Sequence, residues 1–178
     1  MNYWDNRYLK QGYELYGGVL NTGDDRHKQT IQERINFFKQ WTQEEDFKVA
    51  LDYGCGNGYM CTMFEDYTGW DIVPEIIEQN KKKYPDKNFD LVDDIIYDKF
   101  FDLILCLSSL QYLNDYDLKC KLQLFAHNCH NLIIQDSTTR GDEHTYYRTH
   151  EELKNICMDY KFRVYKEIPE GSRWLWLK

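Results

Sequence analysis

The chain has no apolar run approaching the ~18 residues that a membrane-crossing helix requires. It also lacks a basic, apolar leader, because Met1 to Lys10 is polar and aromatic, so no secretory signal is expected. None of its six cysteines (Cys55, Cys61, Cys106, Cys120, Cys129 and Cys157) falls in a CxxC pair. Reduced thiols and a cytoplasmic location are therefore the expectation. Positive charge is in deficit. A net charge of −8 repels phosphate backbones and disfavours nucleic acid as a partner. The one basic run, Lys81-Lys82-Lys83, ends a predicted helix and complements its dipole. Metal-ligand spacing is missing as well. His127, Cys129 and His130 have no second cluster, so they read as a helix-to-strand turn and no metal is expected. There are no internal repeats and no low-complexity stretch.

What remains is a chain of 178 residues, enough for one domain with a core of its own. Residues 1–25, rich in Tyr, Gly and Asn, read as an irregular arm. A helix is expected over 25–41, with Ile31, Ile35, Phe38 and Trp41 on one face. Residues 47–53 form a strand whose run Val49-Ala50-Leu51 suits burial on both faces. A glycine turn and a helix over 58–65 follow, then a short strand over 69–72. Pro74 opens the next helix. Strands are expected over 88–92, 101–107 and 131–135, with a helix over 116–127. After a polar loop, Thr149 and Glu152 form a capping box for a helix to 160. Residues 161–168 and 172–177 alternate as a hairpin around Pro169-Glu170-Gly171. Trp174 and Trp176 lie on one face of the last strand and are read as core-covering. Alternating strands and helices imply a parallel sheet covered on both faces, with ligands at the carboxyl ends of its strands.

The informative segment is Leu51-Asp52-Tyr53-Gly54-Cys55-Gly56-Asn57-Gly58. A strand ends, the backbone turns through glycines that let a ligand approach, and a helix is expected to begin. The dinucleotide fingerprint needs GxGxxG, but the spacing here is GxGxG and Tyr59 stands where the last glycine belongs. Asp71 ends the second strand nineteen positions after Asp52, where a carboxylate can accept both ribose hydroxyls of an adenosine.

The glycine segment resembles motif I of class I (Rossmann-like) methyltransferases, a hydrophobic strand followed by D-x-G-x-G-x-G. Three further segments resemble the same family. Phe101 to Leu113 is similar to its motif IV and the sequel, although Gln111 and Tyr112 stand where the family often has His. Tyr146-Tyr147-Arg148-Thr149-His150-Glu151-Glu152-Leu153 is similar to the entry of its last helix, and Tyr3-Trp4-Asp5-Asn6-Arg7-Tyr8 to its opening.

The resemblance implies an α/β fold with a doubly wound, mostly parallel seven-stranded sheet and an antiparallel C-terminal strand pair. It implies one domain over 1–178, in which 1–45 cover the cofactor and 46–178 form the core. It implies S-adenosyl-L-methionine as cofactor and S-adenosyl-L-homocysteine as product. The residues implied to bind them are Asp52, Gly54, Cys55, Gly56, Gly58, Asp71, Ile72, Asp93, Asp94, Leu107 and Ser108. Of the acidic pair, Asp94 is the better candidate for the adenine amino group. Cys55 is read as a packing residue. A base is needed only for some acceptors. The candidates, among which the sequence does not choose, are Asp136, His144, Tyr146 and His150. The expected acceptor is a small molecule or a protein side chain. Two alternatives stand beside this reading: a cofactor-binding subunit without catalysis, and an NAD(P)-dependent oxidoreductase on a similar fold.

Overall fold

The computed structural model describes residues 3–12, 24–42, 45–92, 99–137, 144–169 and 172–178. In chain order the elements are α1 (Tyr3–Gln11), α2 (Asp24–Trp41), β1 (Val49–Tyr53), β2 (Asp66–Asp71), α3 (Pro74–Lys83), β3 (Asn88–Leu91), β4 (Phe101–Leu107), α4 (Asp115–Asn128), β5 (Cys129–Ser137), α5 (His150–Asp159), β6 (Val164–Ile168) and β7 (Ser172–Leu177). Seven strands form one sheet in the order β3-β2-β1-β4-β5-β7-β6. It is a mixed sheet, with β7 running antiparallel to both β5 and β6. The expected fold class is therefore the observed one.

The chain divides into two compact units. The first comprises Met1–Lys48 and Gly54–Val92, and it holds α1, α2, α3, β2 and β3. There β2 and β3 run parallel, with Asp71 in register with Leu91. Helix α3 starts at Pro74 and ends on three lysines, as a helix dipole favours. Its inner face presents Ile76, Ile77 and Asn80. Trp4 and Tyr8 of α1 pack against Val73 and Ile76.

The second unit comprises Val49–Tyr53 and Asp93–Lys178. Its centre is β4, parallel to β1 on one side and to β5 on the other. Leu103, Ile104, Leu105 and Cys106 are all fully buried, residue after residue, so both faces of β4 are covered. Helix α4 is capped by Asn114, whose side chain accepts the Asp117 amide. It buries Leu118, Leu122 and Phe125 along one stripe. Phe125 meets Tyr53 edge-on at 5.4 Å between ring centroids.

The capping box at α5 forms as the sequence predicts. Thr149 accepts the Glu152 amide, and the Glu152 carboxylate accepts the Thr149 amide at 2.7 Å. Those bonds hold the exposed Glu152 carboxyl below its ordinary range, with the Thr149 backbone bond as the largest cause. A depressed folded pKa means that the stabilisation is present above the ordinary glutamate range and is lost as pH falls through the folded value. Thr149→Ala should cost about 1 kcal/mol at neutral pH. The corresponding drop in Tm is roughly 2–4 °C. Thr149→Ala keeps the backbone bond and removes the hydroxyl bond to the Glu152 carboxylate at 2.9 Å. In thermal melts the difference should therefore shrink in part on acidification; an equal difference at all pH values would show that the hydroxyl bond contributes nothing.

Several elements differ from expectation: β2 begins at Asp66 rather than residue 69 and β6 at Val164 rather than residue 161, and three further differences have a clear cause. Residues 3–11 are helical rather than irregular, because Trp4 and Tyr8 lie one helical turn apart and share the Val73–Ile76 surface. The helix expected over 58–65 is only a 3-10 turn, Cys61–Met63. Strand β2 already begins at Asp66, whose amide binds the Lys48 carbonyl, so the chain has no length for a full helix. Strand β5 is longer than predicted and runs from Cys129 to Ser137, since Cys129 pairs with Phe101 and Ser137 with Ser172.

Among the described residues no helix is long and apolar enough to cross a membrane. No group of three or more His, Cys, Asp or Glu side chains among them could hold a metal ion. None of the six cysteines is disulfide-bonded.

Candidate functional site

In the first unit, the turn after β1 carries Gly54, Gly56 and Gly58 at φ of 79°, 52° and 71°. This is left-handed backbone, which side chains disfavour, so the alternating glycines are what allow the turn. The amides of Gly54 and Cys55 both donate to the Trp70 carbonyl at 2.8 and 2.9 Å, which fastens the start of the turn to β2. The next residue, Asp71, closes the cradle. Its Oδ2 accepts the Gly56 amide at 3.0 Å and its Oδ1 accepts the Val73 amide at 3.1 Å. Both bonds are buried. The sequence brought Asp71 to this turn by spacing alone, and the structure places the two together.

Asn80 was not foreseen. It is fully buried in α3, and its Nδ2 donates to the Gly56 carbonyl at 2.7 Å. The available signal was a polar residue one helical turn beyond Ile76 on an apolar face. Cys55 is buried, with its sulfur 3.8 Å from Asn80 Nδ2, which agrees with a packing role. Ile72, immediately after Asp71, is 51% exposed, and Leu91 across from Asp71 is 47% exposed. The adjoining ends of β2 and β3 thus combine a buried carboxylate with two accessible apolar side chains. Asp93 and Asp94 lie outside the described residues.

Gly69 supports the turn from below. A Cβ there would sit 2.8 Å from the Phe89 ring and 3.0 Å from the Cys55 sulfur. Phe89 cannot yield, since Tyr84 stacks on it at 6.0 Å and Tyr67 packs at 5.6 Å. Gly69→Ala should destabilise the protein by about 1–3 kcal/mol through overpacking. It should weaken ligand binding at the turn as Cys55 is displaced. Urea unfolding with parallel ligand titration measures both, and a neutral effect on each would show that the wall is soft.

In the second unit, Asp52 is buried in β1, and its charge adds to the burial that raises the Cys106 thiol well above its ordinary value. Burial likewise pushes Cys129 and Cys157 up to about 12, so these thiols stay protonated at neutral pH and provide no nucleophile. Strand β4 ends at the buried Leu107, and Ser108 follows at φ 62°. Ser108 is fixed by its amide to the Gln135 carbonyl at 2.7 Å and by its hydroxyl to Gln135 Oε1 at 2.8 Å. A non-glycine residue held in this conformation stores strain of the kind found at functional sites.

The candidate bases separate from one another. Asp136 is buried in β5, with a carboxylate oxygen 3.9 Å from the Arg173 guanidinium. His144 and Tyr146 are exposed, and the Tyr146 amide donates to the Gln111 carbonyl. His150 is buried at the start of α5, its Nε2 2.7 Å from the Glu167 carboxylate. That bond is the largest cause of a lowered Glu167 pKa. Arg148 was singled out only as part of the segment entering the last helix, without its partners. Its guanidinium donates to Asp115 Oδ1, to the Leu113 carbonyl at 2.8 Å and to the Tyr146 carbonyl at 3.3 Å, which anchors the approach to α5.

Residues 24–148 match the family described as "Methyltransferase domain", well over half of the chain. The chain belongs to this family. The methyl donor of such enzymes is S-adenosylmethionine. No curated protein sequence matches the chain. Solved structures do. The magnesium protoporphyrin IX methyltransferase ChlM from Synechocystis PCC 6803, with bound S-adenosylhomocysteine, is 15% identical with a TM-score of 0.74, over 98% of this chain and 95% of that one. The PH0226 protein of Pyrococcus horikoshii OT3 is 14% identical with a TM-score of 0.74, over 97% and 96% of the two chains. The N-methyltransferase NodS of Bradyrhizobium japonicum WM9 is 15% identical with a TM-score of 0.65, over 82% and 93%. At such identities these likenesses establish the fold, and the family match decides against the oxidoreductase alternative.

Proposed function

We propose that this methyltransferase domain is an active, single-domain cytoplasmic enzyme that moves the methyl group of S-adenosylmethionine to a small molecule or a protein side chain. One observation carries the reading: a single buried carboxylate, Asp71, at the end of β2, accepts the Gly56 amide of the glycine turn, and we assign it to the ribose. A carboxylate offers about four acceptor sites, enough to hold backbone and sugar hydroxyls together. Ile72 is assigned to the adenine face. Gly54, Cys55, Gly56 and Gly58 are assigned to the amino-acid end. ChlM, a fold relative, has been crystallised with both S-adenosylmethionine and S-adenosylhomocysteine, which supports the same ligand here.

The bound cofactor supplies an electrophilic methyl group and a thioether leaving group. The protein must align the acceptor and exclude water. An amine or thiolate acceptor then needs no base, whereas an oxygen acceptor benefits from one. Asp136, His144, Tyr146 and His150 remain the candidates for that task, with His150 bonded to Glu167 and Asp136 3.9 Å from Arg173.

Isothermal titration should show binding of S-adenosylmethionine and S-adenosylhomocysteine but not of NAD. Incubation with methyl-labelled cofactor and an acceptor panel should give labelled product. NAD binding without S-adenosylhomocysteine binding would overturn the proposal. Cofactor binding without transfer to any acceptor would favour a non-catalytic subunit, a reading that draws on Gln111 and Tyr112 standing where the family often has His.

A further inference from the structure

Asn80 is the most conspicuous polar residue of the first unit, because nothing in its helix calls for it. Its neighbours on the buried face of α3 are Ile76 and Ile77, and it is itself 0% exposed. Burying an amide in such surroundings is costly unless it is hydrogen-bonded, and asparagine is also a poor helix former. Asn80 meets the first condition by donating to the Gly56 carbonyl at 2.7 Å, with the Cys55 sulfur a further 3.8 Å contact. Gly56 is therefore gripped from two other elements: Asp71 takes its N–H and Asn80 its C=O, to which the neighbouring Cys55 thiol also donates at 3.7 Å. Both grips are side-chain bonds from other elements, and Gly56 lies at φ 52°, where the turn has no preference of its own to rely on.

A trans peptide points its C=O and N–H in opposite directions. Holding the Gly56 carbonyl against α3 thus turns the amide of Asn57 away from α3. We infer that Asn80 is a positioning residue that fixes the Gly56–Asn57 peptide for the amino-acid end of the cofactor, while the adenosine end depends on Asp71. This inference rests on the reading of the turn as an S-adenosylmethionine site. It divides the ligand in two: Asn80 serves the half beyond the sulfur, and Asp71 serves the sugar directly and the turn through Gly56.

The test uses S-adenosylhomocysteine and 5′-methylthioadenosine, which shares the adenosine and sulfur but lacks the amino-acid group. Asn80→Ala removes the donor, and Asn80→Leu removes it while keeping the volume, so one of the pair guards against a folding defect in the other. Both variants should bind S-adenosylhomocysteine about five- to tenfold more weakly, the worth of one strong hydrogen bond to a carbonyl that keeps only the weak Cys55 thiol contact. Their affinity for 5′-methylthioadenosine should stay within about twofold of the unsubstituted protein. Asp71→Ala should weaken both ligands. Equal losses for both ligands in the Asn80 variants would reduce Asn80 to a structural role and overturn the inference, as would no loss for either. If the unsubstituted protein bound neither ligand, the reading of the site itself would fall, and the inference with it.

Discussion

Asp71→Ala should weaken S-adenosylmethionine binding at least about tenfold, since a lost charge-assisted hydrogen-bond pair is worth about 1.5–3 kcal/mol. The same substitution should destabilise the protein with no ligand present. Two buried backbone amides, Gly56 and Val73, lose their acceptor, at about 1–3 kcal/mol each. Asp71→Asn separates the effects. It leaves one acceptor oxygen and turns an NH2 group toward the other amide, so its stability should fall between the two proteins. Denaturant unfolding and cofactor titration on all three proteins give the answer. Unchanged affinity in the alanine variant would remove Asp71 from the site, and unchanged stability would show that its two backbone bonds contribute nothing.

Trp176→Ala should be the most destabilising single change in the second unit. Trp176 is fully buried on β7, where it pairs with Ile133 of β5 and Lys166 of β6. Its indole N–H donates to Asn131 Oδ1 at 3.0 Å, and Tyr165 meets it edge-on at 4.7 Å. Truncating a buried Trp costs about 3–5 kcal/mol. The abandoned Asn131 oxygen adds about 1 kcal/mol. A fall in Tm of roughly 10–15 °C follows. Trp176→Phe keeps most of the ring and loses the N–H, so it should cost about 1–2 kcal/mol. Calorimetric melts of the pair would expose an error in either part. If the two variants melt alike, the packing of the ring contributes little.

Much of this was legible before any coordinates. The strand Phe101–Leu107, the glycine turn and the Thr149–Glu152 box are local patterns, each set by residues adjacent in sequence. Trp174 and Trp176 were correctly assigned to the core by alternation alone. The misreadings share one cause, which is dependence on distant partners. Tyr3–Gln11 looks irregular until Val73 and Ile76 give its aromatic residues a surface. The span after Gly58 reads as helical until the early start of β2 leaves it no room. Asn80 and the partners of Arg148 were missed because the bonded carbonyls lie 24 and 35 positions away, at Gly56 and Leu113. Side-chain periodicity carries no information about such partners.

The burial of the thiols has a practical consequence. Five of the six cysteines are enclosed and only Cys120, on α4, is exposed. A maleimide reagent at neutral pH should therefore attach a single reporter dye to the native protein, at Cys120, without any engineering of the chain. The enclosed thiols should become reactive only on unfolding: labelling at Cys55 and Cys61 would record how often the first unit opens, and labelling at Cys106, Cys129 and Cys157 how often the second does.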